Sequence, residues 1–137
     1  MTDMNITAIV EKGSDGLYSI YSEDHIGNSY FGGFGESVSE AKKDFVSSLE
    51  EALREQVQEN QPVPDRREIS ITYRYDIPSF FNFFDFINVS KFAEYVGINE
   101  SKMRAYKSGV AFPGEKTSAK IFKAVRQIAL DLSAVAL

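Results

Sequence analysis

The chain contains no cysteine and no tryptophan, and it has a single histidine, His25, among 137 residues. Without cysteine it can form neither a disulfide framework nor a thiolate metal site, which is compatible with a reducing compartment. No apolar run approaches the roughly 20 residues that span a bilayer. The start of the sequence also has neither a basic segment nor a long apolar one. We therefore expect a cytoplasmic protein with no membrane anchor.

The scarcity of ligand-forming side chains also argues against catalysis. His25 follows Glu23 and Asp24, but without a second histidine an exposed loop position is a simpler interpretation than a metal ligand or a general base. The glycines of NSYFGGFGE are not followed by the lysine and serine of a phosphate-binding loop. We expect no enzyme activity, no metal and no cofactor.

Charge divides the chain into two halves of opposite sign. Residues 1–78 hold 7 Lys and Arg against 15 Asp and Glu, whereas residues 79–137 hold 8 against 5. A basic segment can neutralise phosphates, and an acidic one suits a cationic partner. The length allows one domain or two small ones. We predict two domains, residues 1–78 and residues 79–137.

The N-terminal half has the pattern strand, strand, strand, helix, strand. Two β-rich runs flank a Gly-Ser-Asp-Gly loop that favours a hairpin. A third strand contains Gly32 and Gly33, which indicate a bulge or a close backbone approach. Ser37 and Glu40 then form a capping box at the start of a helix. That helix has an apolar stripe, and EISITYRYDI alternates like a half-buried strand. The stripe consists of Ala41, Phe45, Leu49, Ala52, Leu53 and Val57.

The C-terminal half contains a predicted helix-turn-helix. A helix over Val89–Val96 ends at Gly97, where a positive φ is favoured, and Asn99 can cap a second helix over Glu100–Ser108. The second helix carries polar and cationic side chains, as a recognition helix in the major groove does. A module used only for packing or dimerisation is the alternative.

The DNA contacts are assigned by position on the second helix and the start of a third, long helix. We expect Glu100, Ser101, Lys102 and Arg104 near base edges, and Lys107, Ser108, Thr117 and Lys120 near phosphates. One such module buries little DNA surface, so we expect a homo-oligomer. The long helix, residues 115–135, and the phenylalanine-rich segment SFFNFFDF can supply its interface. The same phenylalanines can instead form the first core helix of the C-terminal domain.

The order of these segments resembles the HicB family of antitoxins from type II toxin–antitoxin systems. The resemblance rests on GESVSEAKKDFVSSLEEAL after Gly27, and on Phe92-Ala93, Gly97-Ile98, Gly109 and Pro113, which are similar to the phage-repressor (Xre-like) group. It implies an α+β protein with a degenerate RNase H-like β-β-β-α-β domain followed by an all-α helix-turn-helix domain. It also implies two partners, a small basic ribonuclease toxin of the HicA type and operator DNA.

The resemblance places toxin binding in the acidic N-terminal half. We expect its loops and helix face to cover the cationic RNA-binding surface of the toxin. The residues assigned to this contact are Asp15, Glu23, Asp24, Glu36 and Glu40. Two other functions remain open at this point, a stand-alone repressor whose N-terminal domain oligomerises or senses a ligand, and an interaction adaptor that binds no DNA.

Overall fold

The computed structural model describes residues 3–137 and shows an α+β fold. Its strands are β1 (Met4–Lys12), β2 (Tyr18–Ser22), β3 (Gly32–Gly35) and β4 (Ile69–Tyr75). Its α-helices are α1 (Val38–Gln58), α2 (Ile77–Phe83), α3 (Val89–Val96), α4 (Glu100–Ser108) and α5 (Glu115–Ser133). The predicted order of strand, strand, strand, helix, strand over the N-terminal half is confirmed.

The strands form one mixed sheet in the order β3-β2-β1-β4. β2 is antiparallel to both β1 and β3, and β4 lies parallel to β1. The β1–β2 hairpin closes where the Gly13 amide donates to the Leu17 carbonyl at 2.7 Å, and Gly16 there has a φ of 85°. Because β1 and β4 are parallel, the chain must cross over between them, and α1 lies in that connection.

α1 supplies most of the core that covers one sheet face. Its N-cap is Ser37, which accepts from the Glu40 amide as predicted. Phe45 and Leu49 are fully buried against strand residues. Val57, however, is 59% exposed, so the predicted stripe ends one turn early. Val57 borders an open groove with Val63 and Pro64 instead, because the chain past α1 runs back along the helix.

Gly33 allows β3 and α1 to approach closely. A Cβ at Gly33 would lie 2.5 Å from both the Ala41 carbonyl oxygen and the Phe45 amide nitrogen. Such a contact is impossible without moving the helix backbone. The predicted close approach is therefore present, at Gly33.

α2 belongs with the sheet. The chain separates into one compact unit that ends at Phe84 and another over residues 85–137, whereas the sequence suggested a boundary after residue 78. Asp76 caps α2, Phe81 is buried, and the Phe83 ring stacks on Tyr75 at 6.1 Å. The phenylalanines expected to open the C-terminal domain thus lie largely in the first unit. Residues 79–84 carry no charge, so the division of charge is unchanged.

The second unit consists of α3, α4 and α5. Phe92 and Met103 are buried between helices, and Ile121 is the buried residue of α5. Farther along α5, Val125 and Ile128 are half-buried, and Leu132 is 65% exposed. No helix within residues 3–137 is long and apolar enough to cross a membrane.

Candidate functional site

A tight turn joins α3 to α4. Gly97 has a φ of 84°, and the amides of Gly97 and Ile98 both donate to the Ala93 carbonyl at 2.9 Å. This left-handed residue ends α3 because glycine has no Cβ to clash in that conformation. Asn99 then caps α4 by accepting from the Lys102 amide at 3.2 Å. Three residues therefore separate the two helices, as the sequence predicted.

The buried faces of α3 and α4 fix the helix pair. Val89, Phe92, Ala93 and Val96 are all buried on α3, and Met103 is fully buried on α4. Tyr106, three residues after Met103, is half-buried. Gly109 ends α4 with a φ of 81°. With Met103 inside, the opposite face of α4 is turned to solvent.

That outer face carries the residues assigned to DNA on α4. All six are exposed, namely Glu100, Ser101, Lys102, Arg104, Lys107 and Ser108. Lys102 and Arg104 lie in the first half of the helix, the half that a recognition helix inserts into the groove. Ser108, near the C-terminus, donates its hydroxyl to the Ala105 carbonyl at 3.1 Å. These positions suit contact with DNA, and which of them touch DNA stays a prediction.

Arg104 already has partners within the fold. Its Nη2 donates to Ser90 Oγ at 3.0 Å and to Glu100 Oε1 at 3.2 Å. Glu100 also accepts the Ser90 hydroxyl, and hydrogen bonds from Ser90 and Arg104 lower the pKa of the Glu100 carboxyl. Ser90 belongs to α3, so this cluster ties the two helices together on the surface. Arg104 must leave it to reach a base edge.

The two α5 residues predicted to lie near phosphates differ in exposure. Thr117 is half-buried, and Lys120 is exposed with its Nζ 3.1 Å from the Gly97 carbonyl oxygen. A cation at the C-terminus of α3 complements the helix dipole. Lys116 and Lys123, at helical spacing from Lys120, are exposed too, so the three lysines form a basic stripe.

The predicted toxin-binding carboxylates lie on three segments of the first unit, and three of them have structural partners. Asp15 accepts from the Leu17 amide in the β1–β2 hairpin, and Asp24 accepts from the Thr7 amide, each at 2.9 Å. Glu40 accepts from the Glu36 amide at 2.9 Å at the start of α1. Glu23 and Glu36 have exposed side chains.

One lysine is surrounded by aromatic rings, an arrangement that the sequence did not predict. Lys42 Nζ lies 3.3 Å from the ring centre of Phe83 and 4.2 Å from that of Tyr73, and it donates to Tyr75 Oη at 2.6 Å. Burial lowers the pKa of Lys42 to about 8 and raises that of Tyr75 to about 12. The cluster joins α1, β4 and α2. No sequence pattern links residues so far apart.

Across residues 3–137, no group of three or more His, Cys, Asp and Glu side chains is placed to hold a metal ion. His25 is exposed, and its ring meets Tyr30 edge-on at 5.4 Å. Comparison with protein-family models, curated proteins and solved structures finds no match to the chain.

Proposed function

We propose that the chain is a cytoplasmic antitoxin of the HicB type. Its second unit binds operator DNA and represses its own operon, and its first unit binds and blocks a small basic ribonuclease toxin. The observation that carries the proposal is the α3–Gly97–α4 pair, whose outer helix presents Lys102, Arg104 and Lys107 to solvent.

The DNA half rests on geometry and charge. Two helices joined by a three-residue turn present the second helix as a unit to a major groove. The basic stripe of Lys116, Lys120 and Lys123 provides cations next to that module, suited to the phosphate backbone. The second unit holds 8 basic against 5 acidic residues, so phosphates are attracted to it on balance.

Repression by this module calls for two copies of the chain. A helix-turn-helix protein gains useful affinity by reading two half-sites with a dimer. One face of α5 runs from the buried Ile121 through Val125, Ile128 and Leu132, yet Val125 and Ile128 are only half-buried and Leu132 is 65% exposed. An apolar helix stripe that is left uncovered is typical of an interface. We propose that α5 joins the chain to a second copy.

The toxin half rests on charge and on fold. The first unit carries 15 acidic residues against 7 basic ones, and a protein that holds RNA presents cations. Its mixed sheet, with β4 parallel to β1 and one long helix on one face, supports a degenerate RNase H-like domain. We propose that this domain binds its partner and performs no chemistry.

Co-purification tests the toxin half. The tagged chain is co-expressed with the small basic protein encoded beside it, and we expect a stable complex in which the ribonuclease is inactive. Reversing the exposed Glu23 and Glu36 to lysine should slow association and reduce its salt dependence, because rim charges act through steering.

The matched control replaces Glu50 and Glu51 by lysine, because both are exposed on α1 and lie outside the proposed contact. Asp24 is left intact because its carboxylate holds the Thr7 amide. If no small basic protein is encoded next to the gene, or if it does not co-purify, the antitoxin assignment fails and a stand-alone regulator takes its place.

A further inference from the structure

The sheet has one face covered by α1 and another that carries a different set of side chains. Ile6, Val10 and Ile20 are buried on the covered side. Since successive side chains of a strand point to opposite faces, their sequence neighbours point away from α1. The register places Glu11 opposite Ser19 on β1 and β2. Ser19 in turn lies opposite Phe34 on β3.

Two exposed aromatic residues lie on neighbouring strands of this open face. Tyr21 is 46% exposed and Phe34 is 69% exposed. Gly32 lies directly opposite Tyr21, and Phe34 is two residues farther along β3, so the rings are diagonal neighbours. Gly32 has no side chain to cover the Tyr21 ring. The Tyr21 hydroxyl donates to Glu11 Oε1 at 3.1 Å, which holds the ring in place.

The charge around these rings is negative. Partial burial, the hydrogen bond to Glu11 and the charges of Glu11 and Glu23 together raise the pKa of the Tyr21 hydroxyl. Arg74 is a cation on the same face, but Ile9 lies between it and Tyr21 in the register. Arg74 is therefore two strand spacings, about 10 Å, from Tyr21. It is a diagonal neighbour of Glu11 on the adjacent strand, but no ion pair joins these two side chains. We call the set of Glu11, Tyr21, Glu23 and Phe34 the open-sheet patch.

The edge of β3 cannot be the contact point for a partner strand. The amide of Gly32 donates to Ser48 Oγ at 3.2 Å, and the amide of Phe34 donates to the Asp44 carboxylate at 2.9 Å. An added strand would need these two donors. α1 side chains therefore block strand pairing at the β3 edge, and a partner of the residues near this edge has to approach the face.

We propose that the open-sheet patch binds an arginine-bearing segment of a basic protein. A guanidinium group is planar and weakly hydrated, so it can stack on an aromatic face while it donates to carboxylates. Tyr21 and Phe34 supply the faces, and Glu11 and Glu23 supply the acceptors. That this partner is the toxin rests on the proposed function, whereas arginine binding itself does not.

Nucleic acid fits the same rings less well. Exposed aromatic residues on an open sheet stack bases in RNA-binding domains, but those surfaces are cationic so that they attract phosphates. Here Glu11 and Glu23 flank the rings, and the whole unit has an excess of acidic residues. Phosphates would be repelled.

Peptide binding to the full chain tests the proposal. Fluorescently labelled hexa-arginine and hexa-lysine are titrated separately, and we expect hexa-arginine to bind more tightly. The double variant Tyr21→Ala, Phe34→Ala should weaken hexa-arginine binding by about tenfold and remove the preference for arginine. Tyr21→Phe keeps the ring and should retain the preference.

A charge-matched control separates the patch from general acidity. Glu11→Gln with Glu23→Gln should weaken both peptides more than Glu50→Gln with Glu51→Gln, which removes the same charge from exposed positions on α1. Circular dichroism checks that each variant is folded. Unchanged hexa-arginine binding by the double alanine variant would overturn the proposal, and so would tighter binding of single-stranded RNA at the same residues.

The two proposals can fail separately. If the peptide results hold and the neighbouring basic protein does not co-purify, the patch stands and the antitoxin assignment falls. If that protein co-purifies equally well with the double alanine variant, the antitoxin assignment stands and the patch is not its docking surface.

Discussion

At the residue scale, two cations proposed to meet DNA also make hydrogen bonds within the second unit. Arg104 bonds to Ser90 and Glu100, and Lys120 bonds to the Gly97 carbonyl. These contacts pre-position the side chains at the surface, yet a contact with DNA has to replace them. Exposed contacts of this kind contribute little to stability because water screens them, so breaking them to bind DNA costs little.

Alanine at Arg104 and at Lys107 should affect DNA binding differently. If Arg104 contacts a base, Arg104→Ala weakens binding to the operator by about 1 to 3 kcal/mol and relaxes sequence preference. Lys107→Ala should weaken binding to all sequences and reduce its salt dependence. Gel-shift titrations at two salt concentrations separate the two effects. The assignment is wrong if both variants bind the promoter as the wild type does.

Lys42 predicts a pH dependence of stability. Its pKa falls from 10.5 in a free side chain to about 8 in the fold, so the unfolded state binds more protons between these values. Stability should therefore rise from pH 8 to about pH 9.5 relative to the Lys42→Met variant.

The size of this effect is limited because the half-buried side chain is partly screened by water. The Phe83 and Tyr73 rings attract the charged form, but burial outweighs them because no carboxylate of residues 3–137 pairs with Lys42. Denaturant melts at several pH values measure the free energy of unfolding, and an NMR titration of the Lys42 amine measures its pKa. A measured Lys42 pKa at or above 10.5 would show that the attraction of the rings outweighs the effect of burial.

At the element scale, the helix ends and strand alternation follow from local chemistry. Helix ends depend on hydrogen bonds and backbone angles that involve residues close in sequence, as at Ser37, Gly97 and Asn99. These three ends could therefore be predicted from the sequence. The prediction that Val57 is buried and the assignment of the α2 phenylalanines to the C-terminal domain were wrong, because burial there depends on segments far away in sequence. A periodic pattern states which face is apolar, and it does not state how far the covering layer extends.

Gly33→Ala tests the close approach of β3 and α1. The added methyl would meet backbone atoms of α1 at 2.5 Å, so the helix must move, and we expect a loss of about 1 to 3 kcal/mol in the free energy of unfolding. Gly13→Ala is the control and should cost less, because its nearest contact is the Asp15 side chain at 2.8 Å, which can rotate away with the loss of one exposed hydrogen bond to the Leu17 amide. Urea melts compare them. Equal stability of the two variants would refute the packing argument.

At the scale of the whole molecule, the chain combines an acidic unit and a basic unit. This division of charge is read directly from the sequence, and the helices α3 and α4 lie where the sequence predicted two helices and a turn. The sequence did not predict the aromatic rings around Lys42, or that Tyr21 and Phe34 lie as diagonal neighbours on one sheet face, because both arrangements join segments far apart in sequence. It also assigned Arg104 and Asp15 by charge alone, whereas hydrogen bonds within the fold engage both side chains.

The first unit should reach its full stability by itself only if α2 is included. A fragment of residues 1–84 keeps the Phe83 ring on Tyr75 and Lys42, whereas a fragment of residues 1–78 exposes that cluster. We expect cooperative thermal unfolding of the longer fragment and a lower melting temperature for the shorter one. Identical melting curves would mean that α2 contributes nothing to this core.

Specific DNA binding by the second unit is the central claim. The most direct measurement is fluorescence anisotropy of the full chain with DNA from directly upstream of its coding sequence, compared with shuffled DNA of the same composition, at physiological salt. We expect the upstream DNA to bind at least about 1,000-fold more tightly than the shuffled DNA. Equal affinity for the two DNAs, or no binding to either, would contradict it.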